Sequence, residues 1–337
     1  MSRDGTPTLG ADESWRAVLA PHMTPRLRRA LLDVAASVVA YLGFMATMFV
    51  AFQISYLLVL VLAIPTAGFL VRTFIVFHDC AHGSFVPSKR ANATLGAVLG
   101  VVLYTPFAWW RHEHSVHHAT TGDLDKRGVG DIQTLTVDEY RARSWWGRVR
   151  YRLFRNPLVM FVVGPSWVLL ISQRLITREM RPRLRQSVLG TDLALAVLVG
   201  GLCWLVGWKE FLLVQGPPVL LAGAVGIWLF YVQHQFEDAY WQTSETWSFD
   251  AAALQGSSHL ELPRILRFFT GNIGLHHIHH LSARIPNYNL QAAHLAGRFE
   301  SVTTLSLRDG IRAVRLKFWD PDQHRLVTFR EAARTGR

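Results

Sequence analysis

Four long apolar runs constrain the fold of this chain more than any other feature of its sequence. Each has about the 20 residues that a helix needs to cross the hydrocarbon core of a bilayer. The runs occupy residues 31–51, 55–77, 188–208 and 211–233. The only charged residues within them are Asp33, Arg72 and Asp192. Four such runs are not typical of a soluble helical protein, so the sequence predicts an all-α integral membrane protein with two transmembrane helical hairpins.

Positive charge is concentrated on one side of these predicted spans. Three arginines precede the first run, and arginine-rich stretches at 141–155 and 174–186 separate the two hairpins. The short turns within the hairpins, near Gln53 and at Lys209–Glu210, contain a single lysine, Lys209. The positive-inside rule then predicts an inner or cytoplasmic membrane protein with both termini and the middle segment in the cytoplasm. The formal charge of +11 does not indicate nucleic acid, because no nucleic-acid-binding motif accompanies it.

The predicted organisation follows from the spans. Residues 1–30 form a cytoplasmic N-terminal segment, residues 31–300 a membrane domain, and residues 301–337 a basic cytoplasmic tail. Within the membrane domain, residues 78–187 and 234–300 form a helical cap. The short apolar stretches 94–107 and 157–172 are expected to be interfacial or buried rather than spanning. No secretory signal is recognised in the first 20 residues, and two cysteines give no disulfide framework.

The histidines are the second unusual feature. Eleven of the 15 fall into four clusters, each at a predicted cytoplasmic end of a span or just after an interfacial segment. The clusters contain His78 and His82; His112, His114, His117 and His118; His234; and His276, His277, His279 and His280. Four clusters distant in sequence are therefore expected to meet in one layer near the membrane surface.

Helical spacing selects among these histidines, since positions i, i+3 and i+4 share a face. His78 and His82 are spaced i, i+4. His114, His117 and His118 are spaced i, i+3, i+4, as are His276, His279 and His280. His112 lies on the opposite side from His114. His277 fits the third cluster as well as His279 by spacing alone, and only the parallel with the second cluster favours His279.

Clustered imidazoles indicate metal binding. Neutral imidazole is the commonest metal-ligating side chain, and a tetrahedral zinc needs only four ligands. Eight or nine histidines suit two metals with open positions, where a small molecule such as dioxygen binds. Each three-histidine helix face is expected to hold half of such a pair. A metal transporter or sensor is a distant alternative, because transporters place ionisable ligands within their spans and these spans are almost bare.

The clusters resemble the three histidine boxes of the membrane fatty acid desaturase family. HDCAHGS, HSVHH and HHIHH match the patterns HxxxH, HxxHH and HxxHH. The stretches ATTGDLDKRGVGDIQTLTVDEY (119–140) and GNIGLHHIHHLSARIPNYNL (271–290) are similar to the bacterial and cyanobacterial acyl-lipid branch. With WLFYVQHQFED, the resemblance covers roughly residues 30–300.

The resemblance implies a di-iron centre on the cytoplasmic face of the membrane, with O2 as co-substrate. The implied ligands, which are also the catalytic residues, are His78, His82, His114, His117, His118, His276, His279 and His280, with His234 as a further ligand. His112 and His277 are expected to be outer-shell or solvent-facing. Metal-bound imidazoles usually donate their second N–H to a carboxylate or carbonyl. Asp79 is the strongest candidate; Asp123, Asp125, Asp131, Glu237 and Asp238 are weaker ones.

The implied reaction is oxidation of an unactivated methylene pair of a fatty acyl lipid to a cis double bond. No flavin, nicotinamide or fused haem motif is recognised, so a separate electron donor such as ferredoxin or flavodoxin is implied. Such donors are commonly acidic, and the arginine-rich stretches offer a complementary surface, although topology and lipid contact explain them equally well. A related di-iron hydroxylase or ketolase acting on an alkane, sterol or carotenoid is the main alternative, because the boxes do not separate the two outcomes.

Overall fold

A computed structural model describes residues 14–297, 299 and 301–334. Within these residues, four long helical segments are apolar enough to cross a membrane, as the sequence predicts. The first is formed by α2 (Leu27–Val34) and α3 (Ala40–Phe52), which follow α1 (Ser14–Leu19) and are joined through a π-helical stretch, Ala35–Val39. The second is α4 (Tyr56–His82). It packs against α3 and against the fourth span, which follows much later in the sequence.

The second hairpin differs slightly from the sequence-based bounds. Its helices cover Pro182–Val206 and Trp208–His234 and are separated only by Gly207. The predicted turn at Lys209–Glu210 is therefore wrong. Gly207 has a φ of 92°, a left-handed conformation that glycine adopts without a steric penalty, so the chain reverses there. Lys209 and Glu210 lie in the first turn of the following helix.

The outward faces of the spans are apolar. In the helix Pro182–Val206, only 11% of the most apolar window is buried inside the protein. Leu193, Val197 and Trp204 are exposed by 68%, 69% and 87%. A contiguous apolar surface of this size is unfavourable in water and suits contact with lipid.

Two bent helix pairs connect the hairpins. The first pair is α5 (Lys89–Val102) and α6 (Phe107–Thr120), which meet at 104°. The second pair begins with α8 (Trp145–Phe154), after the short α7 (Val137–Ala142). It continues through a π-helical stretch, Val159–Val163, into α9 (Gly164–Leu170), bent by 62° from α8. These pairs contain the apolar stretches 94–107 and 157–172, and their interfacial placement stays a prediction. The spans α10 (Pro182–Val206) and α11 (Trp208–His234) follow.

The remaining elements form the rest of the cap. Short helices follow α11: α12 (Phe249–Gln255), α13 (Arg264–Phe269), α14 (His276–Leu281), α15 (Asn287–Ala296), α16 (Leu307–Ala313) and α17 (Phe329–Ala332). The strands are β1 (Leu135–Thr136), β2 (His259–Leu260), β3 (Thr304–Leu305), β4 (Leu316–Asp320) and β5 (Arg325–Thr328). β2 and β3 pair in parallel. In the other sheet, β4 pairs antiparallel with β5 and parallel with β1.

The C-terminal part has more structure than the basic tail expected from the sequence. Leu135↔Phe318 is one register pair between β1 and β4. Phe318 and Val327 are fully buried together with Tyr140 and Tyr151 of the cap. This small apolar core attaches the C-terminal hairpin to the segment between the two membrane hairpins.

Candidate metal centre

The first group of histidines has five members and lies where three helices meet. His78 and His82 end α4, His114 and His118 lie on α6, and His279 lies on α14. One ring nitrogen from each of the five lies within 4.8 Å of the others. The Nε2 atom of His279 lies 3.1 Å from that of His78 and 2.9 Å from that of His118.

The second group has four members, all buried: His117, His234, His276 and His280. His234 is the last residue of α11, which places it at the end of the fourth span. Its Nε2 atom lies 3.2 Å from Nε2 of His117 and 2.9 Å from Nε2 of His276. The chain therefore brings together nine imidazoles from four helices.

Each of the two later clusters is divided between the groups. On α6, His114 and His118 enter the five-membered group and His117 enters the other. On α14, His279 joins the five-membered group, while His276 and His280 join the four-membered one. The expectation that one helix face holds half of a metal pair is therefore wrong. The side chains i and i+4 project to one group, and the residue between them projects to the other.

Outer hydrogen bonds define which ring nitrogen carries the proton in three of the nine. Nδ1 of His78 lies 3.1 Å from Oδ1 of Asp79, and Nδ1 of His117 lies 2.5 Å from Oδ1 of Asp131. Nδ1 of His234 lies 2.9 Å from the carbonyl oxygen of Gly256, which can only accept. Each Nδ1 is therefore the donor, and each Nε2 presents a lone pair to its group.

These lone pairs favour a cation in each group. Nε2 of His117 and Nε2 of His234 face each other at 3.2 Å, and neither carries a hydrogen in this arrangement. Nε2 of His82 is also buried, with no hydrogen-bond partner among the described residues. Converging lone pairs repel unless a cation lies between them. A neutral nitrogen donor set of this kind fits iron, among other first-row metals.

Electrostatics keep the third cluster in its ligating form. Burial lowers the pKa of His276, His279 and His280 well below the usual histidine range, and neighbouring imidazoles lower it further. All three are neutral at pH 7, which is the form that binds a metal.

The two histidines treated as extras differ from each other. His112 is exposed, as expected for its opposite face. His277 is fully buried, so of its two expected positions, outer-shell or solvent-facing, the solvent-facing one is wrong. Its ring lies 5.8 Å from that of His259 and 5.4 Å from that of His294, and it belongs to neither group. The spacing ambiguity between His277 and His279 is resolved because the His279 side chain reaches the histidines of α4 and α6, and that of His277 does not.

Among the proposed outer carboxylates, Asp79 contacts a histidine as predicted, and so does Asp131, which the sequence ranked low. Asp131 is 14 residues from His117 along the chain, in a loop without a periodic pattern, so spacing gave no signal for it. Asp123 instead binds Lys126 and Ser244. A further contact was not foreseen: the ring of Trp110 stacks on His114, with centroids 4.4 Å apart.

The fold and the site together define a helical membrane protein with a buried, two-centre histidine site at the end of its spans. Comparison with known proteins gives the family: the fatty acid desaturase family model matches residues 54–303. The chain belongs to the fatty acid desaturase family, as its histidine boxes indicate, and is therefore an oxidoreductase by family.

Individual relatives agree with this assignment. The chain is 44% identical to a fatty acid desaturase of Bacillus subtilis, over 91% of this chain and 87% of the relative. It is 27% identical to the sn-1 oleoyl-lipid 12-desaturase of Synechocystis, over 78% and 73% of the two chains. It is 29% identical to the sn-1 acyl-lipid omega-3 desaturase (ferredoxin) of the same organism, over 65% and 62%.

Proposed function

We propose that this chain is an oxygen-dependent di-iron desaturase that introduces a cis double bond into an acyl chain of a membrane lipid. The observation that carries the proposal is the pair of histidine groups at the membrane ends of α4 and α11, in a chain of the desaturase family. Two irons held there would supply the oxidising power to remove two hydrogens from a methylene pair, using O2.

In this proposal the five-membered and four-membered groups each hold one iron, and their nine histidines are the ligands. Burial of the four-membered group would exclude bulk water from the iron held there. Asp79, Asp131 and the Gly256 carbonyl keep their imidazoles in one tautomer and one orientation. Trp110 stacks on His114 and contacts Phe74 of α4, so the five-membered group has apolar rings beside it.

The substrate class is supported by the relatives. Two of those described above act, by their names, on acyl groups of lipids. A lipid-linked acyl chain also suits the architecture, because both groups lie at the ends of apolar spans. A hydroxylase with the same metal site would transfer an oxygen atom to the substrate carbon instead of removing a second hydrogen. Its hydroxylated product would distinguish it from a desaturase.

The electron donor is proposed to be a small acidic protein such as a ferredoxin, which one relative's name includes. Exposed arginines remain available for docking on α8 and near the start of α10, among them Arg148, Arg150 and Arg183. Arg155 belongs to the same stretch by sequence but is fully buried, so it is not part of such a surface. These arginines also support the proposed placement of the cap and both termini in the cytoplasm.

The test is the lipid fatty acid profile of a bacterial host that expresses the full chain with a ferredoxin and its reductase. A new cis double bond is expected with the intact chain, and none with His114→Ala or His279→Ala. His112→Ala is the matched control, since His112 lies on the same helix as His114 but is exposed. It is expected to keep full activity.

The other outcomes are also informative. A hydroxylated acyl chain would replace the desaturase proposal with the hydroxylase. A purified chain that binds no iron would refute the metal site itself. For the donor surface, reversing the charge of Arg148 and Arg150 is expected to slow turnover and to reduce its dependence on salt. Arg308→Glu, an exposed charge reversal on α16, is the control.

A further inference from the structure

Two charged residues inside the spans are not explained by the proposed reaction. Asp33 lies on α2 and Arg72 lies on α4, and their side chains form an ion pair with only 5% and 13% of their surface exposed. A second guanidinium nitrogen of Arg72 donates to the carbonyl oxygen of Phe268. Charged side chains at this depth are costly, and they are retained where they have a partner and a role.

The ion pair continues toward the histidines through one side chain. The Nδ2 group of Asn287 lies 2.8 Å from Oδ2 of Asp33 and 3.0 Å from Oδ2 of Asp79. Its two hydrogens are therefore both used. The backbone N–H of Asn287 donates to the same Oδ2 of Asp79 at 2.6 Å. Asn287, Asp79 and Asp33 are each at most 5% exposed.

The last link reaches the five-membered histidine group. With Oδ2 of Asp79 held by two donors, its Oδ1 is directed to Nδ1 of His78 at 3.1 Å. The resulting chain runs from Arg72 through Asp33, Asn287 and Asp79 to His78. It joins the first span, the second span and α15 at one point.

We propose that Asn287 is a positioning residue, which ties the Asp33–Arg72 ion pair to Asp79 and so fixes the orientation and tautomer of His78. This inference rests on the proposed metal site. Without the Asn287 side chain, Asp79 and Asp33 each lose one donor, and Asp33 keeps only its ion pair with Arg72. Asp79 is then held at Oδ2 by the backbone N–H of residue 287 alone, so its Oδ1 is oriented less firmly toward Nδ1 of His78. The five-membered group is affected, whereas the four-membered group has its own outer partners.

The experiment uses the full chain in detergent, loaded with Fe(II), and measures iron per chain, Fe(II) affinity by chelator competition, and the Mössbauer spectrum. In Asn287→Leu we expect about tenfold or greater weakening of one of the two irons. We also expect one of the two spectral components to change while the other is retained. Asp33→Asn should act in the same direction, because it leaves Arg72 unpaired.

A double variant separates positioning from general destabilisation. Asp33→Asn with Arg72→Gln removes both charges but keeps an amide oxygen that can accept from Asn287. It is expected to recover most of the Fe(II) affinity lost in Asp33→Asn. The control is Asp192→Asn, which breaks the more exposed ion pair of Arg174 with Asp192, a pair with no contact to a histidine among the described residues. It should leave both irons unchanged.

Three results would overturn the inference. The first is an Asn287→Leu chain that binds both irons with unchanged affinity. The second is an Asn287→Leu chain in which both Mössbauer components are lost equally. The third is an Asp192→Asn chain that loses as much iron as Asn287→Leu. If Asn287→Leu does not elute as a monodisperse protein, Asp33→Asn and the double variant decide by the same criteria. A wild-type chain that binds no iron would instead refute the proposed function, so the two failures are distinguishable.

Discussion

The contacts of Arg155 allow the loss of stability on its substitution to be estimated. Its side chain is fully buried, yet no carboxylate pairs with it among the described residues. Its guanidinium contacts oxygen atoms of Gln133, Thr134, Tyr231, Gln235 and Leu316 at 3.0–3.1 Å. These acceptors come from the cap, the fourth span and the C-terminal hairpin, so Arg155 is expected to hold the three together.

The expected loss can be estimated from what remains after Arg155→Ala. Thr134 and Gln235 still bond to each other, and Tyr231 still donates to the Leu316 carbonyl. The carbonyl of Gln133 loses its donor, which costs about 1–3 kcal/mol. Loss of the buried methylenes costs roughly 2 kcal/mol more. We therefore expect destabilisation of about 3–5 kcal/mol, whereas Arg155→Met keeps most of the apolar stem and should cost about 1–3 kcal/mol.

The measurement is thermal unfolding in detergent, followed by tryptophan fluorescence, together with limited proteolysis of residues 304–334. Arg155→Ala should unfold at a lower temperature and be cleaved faster in the C-terminal hairpin. Arg148→Ala is the matched control, because Arg148 is an exposed arginine on the preceding helix. An Arg155→Ala chain that unfolds and is cleaved like Arg148→Ala would refute the reasoning.

Three further predictions follow from other contacts. Asp131→Ala removes the acceptor for Nδ1 of a buried histidine, so Fe(II) affinity should fall about 10–100-fold by chelator competition. Burial lowers the pKa of Lys317 to about 7, so the unfolded chain binds one more proton above that pH. Stability should rise from pH 7 to 9.5, by at most about 1.4 kcal/mol per pH unit. Gly100→Ala places a Cβ 2.5 Å from the carbonyl oxygen of Thr105, so the free energy of unfolding should fall by about 1–3 kcal/mol.

Each of these has a control in the chain. Asp138→Ala removes a carboxylate that is 81% exposed, and it should leave Fe(II) affinity unchanged; equal losses would contradict the role of Asp131. Lys317→Met should flatten the rise of stability with pH, and an unaltered slope would assign it to other groups. Gly190 has no atom within 4 Å of an added Cβ. Its alanine variant should be neutral or stabilising, and a Gly100→Ala chain as stable as wild type would show that the bend tolerates a side chain.

The sequence predicted the spans and the boxes because both are local patterns. Apolar length gives the spans, and i, i+3, i+4 spacing gives the candidate ligands. The sequence could not divide the ligands between the two groups, since that depends on where the folded chain directs the histidine side chains of α6 and α14 relative to those of α4 and α11. The choice of His279 over His277 has the same origin, because both fit one helical arc and only packing separates them.

Long-range polar contacts were the other part that the sequence did not provide. Asp33 and Asn287 are 254 residues apart along the chain, so no spacing rule relates them. Arg155 is one of many arginines in its stretch, and composition does not distinguish a buried arginine from an exposed one. In both cases the partner becomes identifiable only when the helices are packed.

The division of α6 between the two histidine groups has a consequence for the distance between the two metal positions. His114 and His118 serve one group and His117 serves the other, on a single rigid helix. Such a helix advances about 1.5 Å per residue and turns about 100°. The offset between the two groups is thus set by helical pitch, which a side-chain substitution does not alter. The backbone geometry of α6 therefore limits the distance between the two centres.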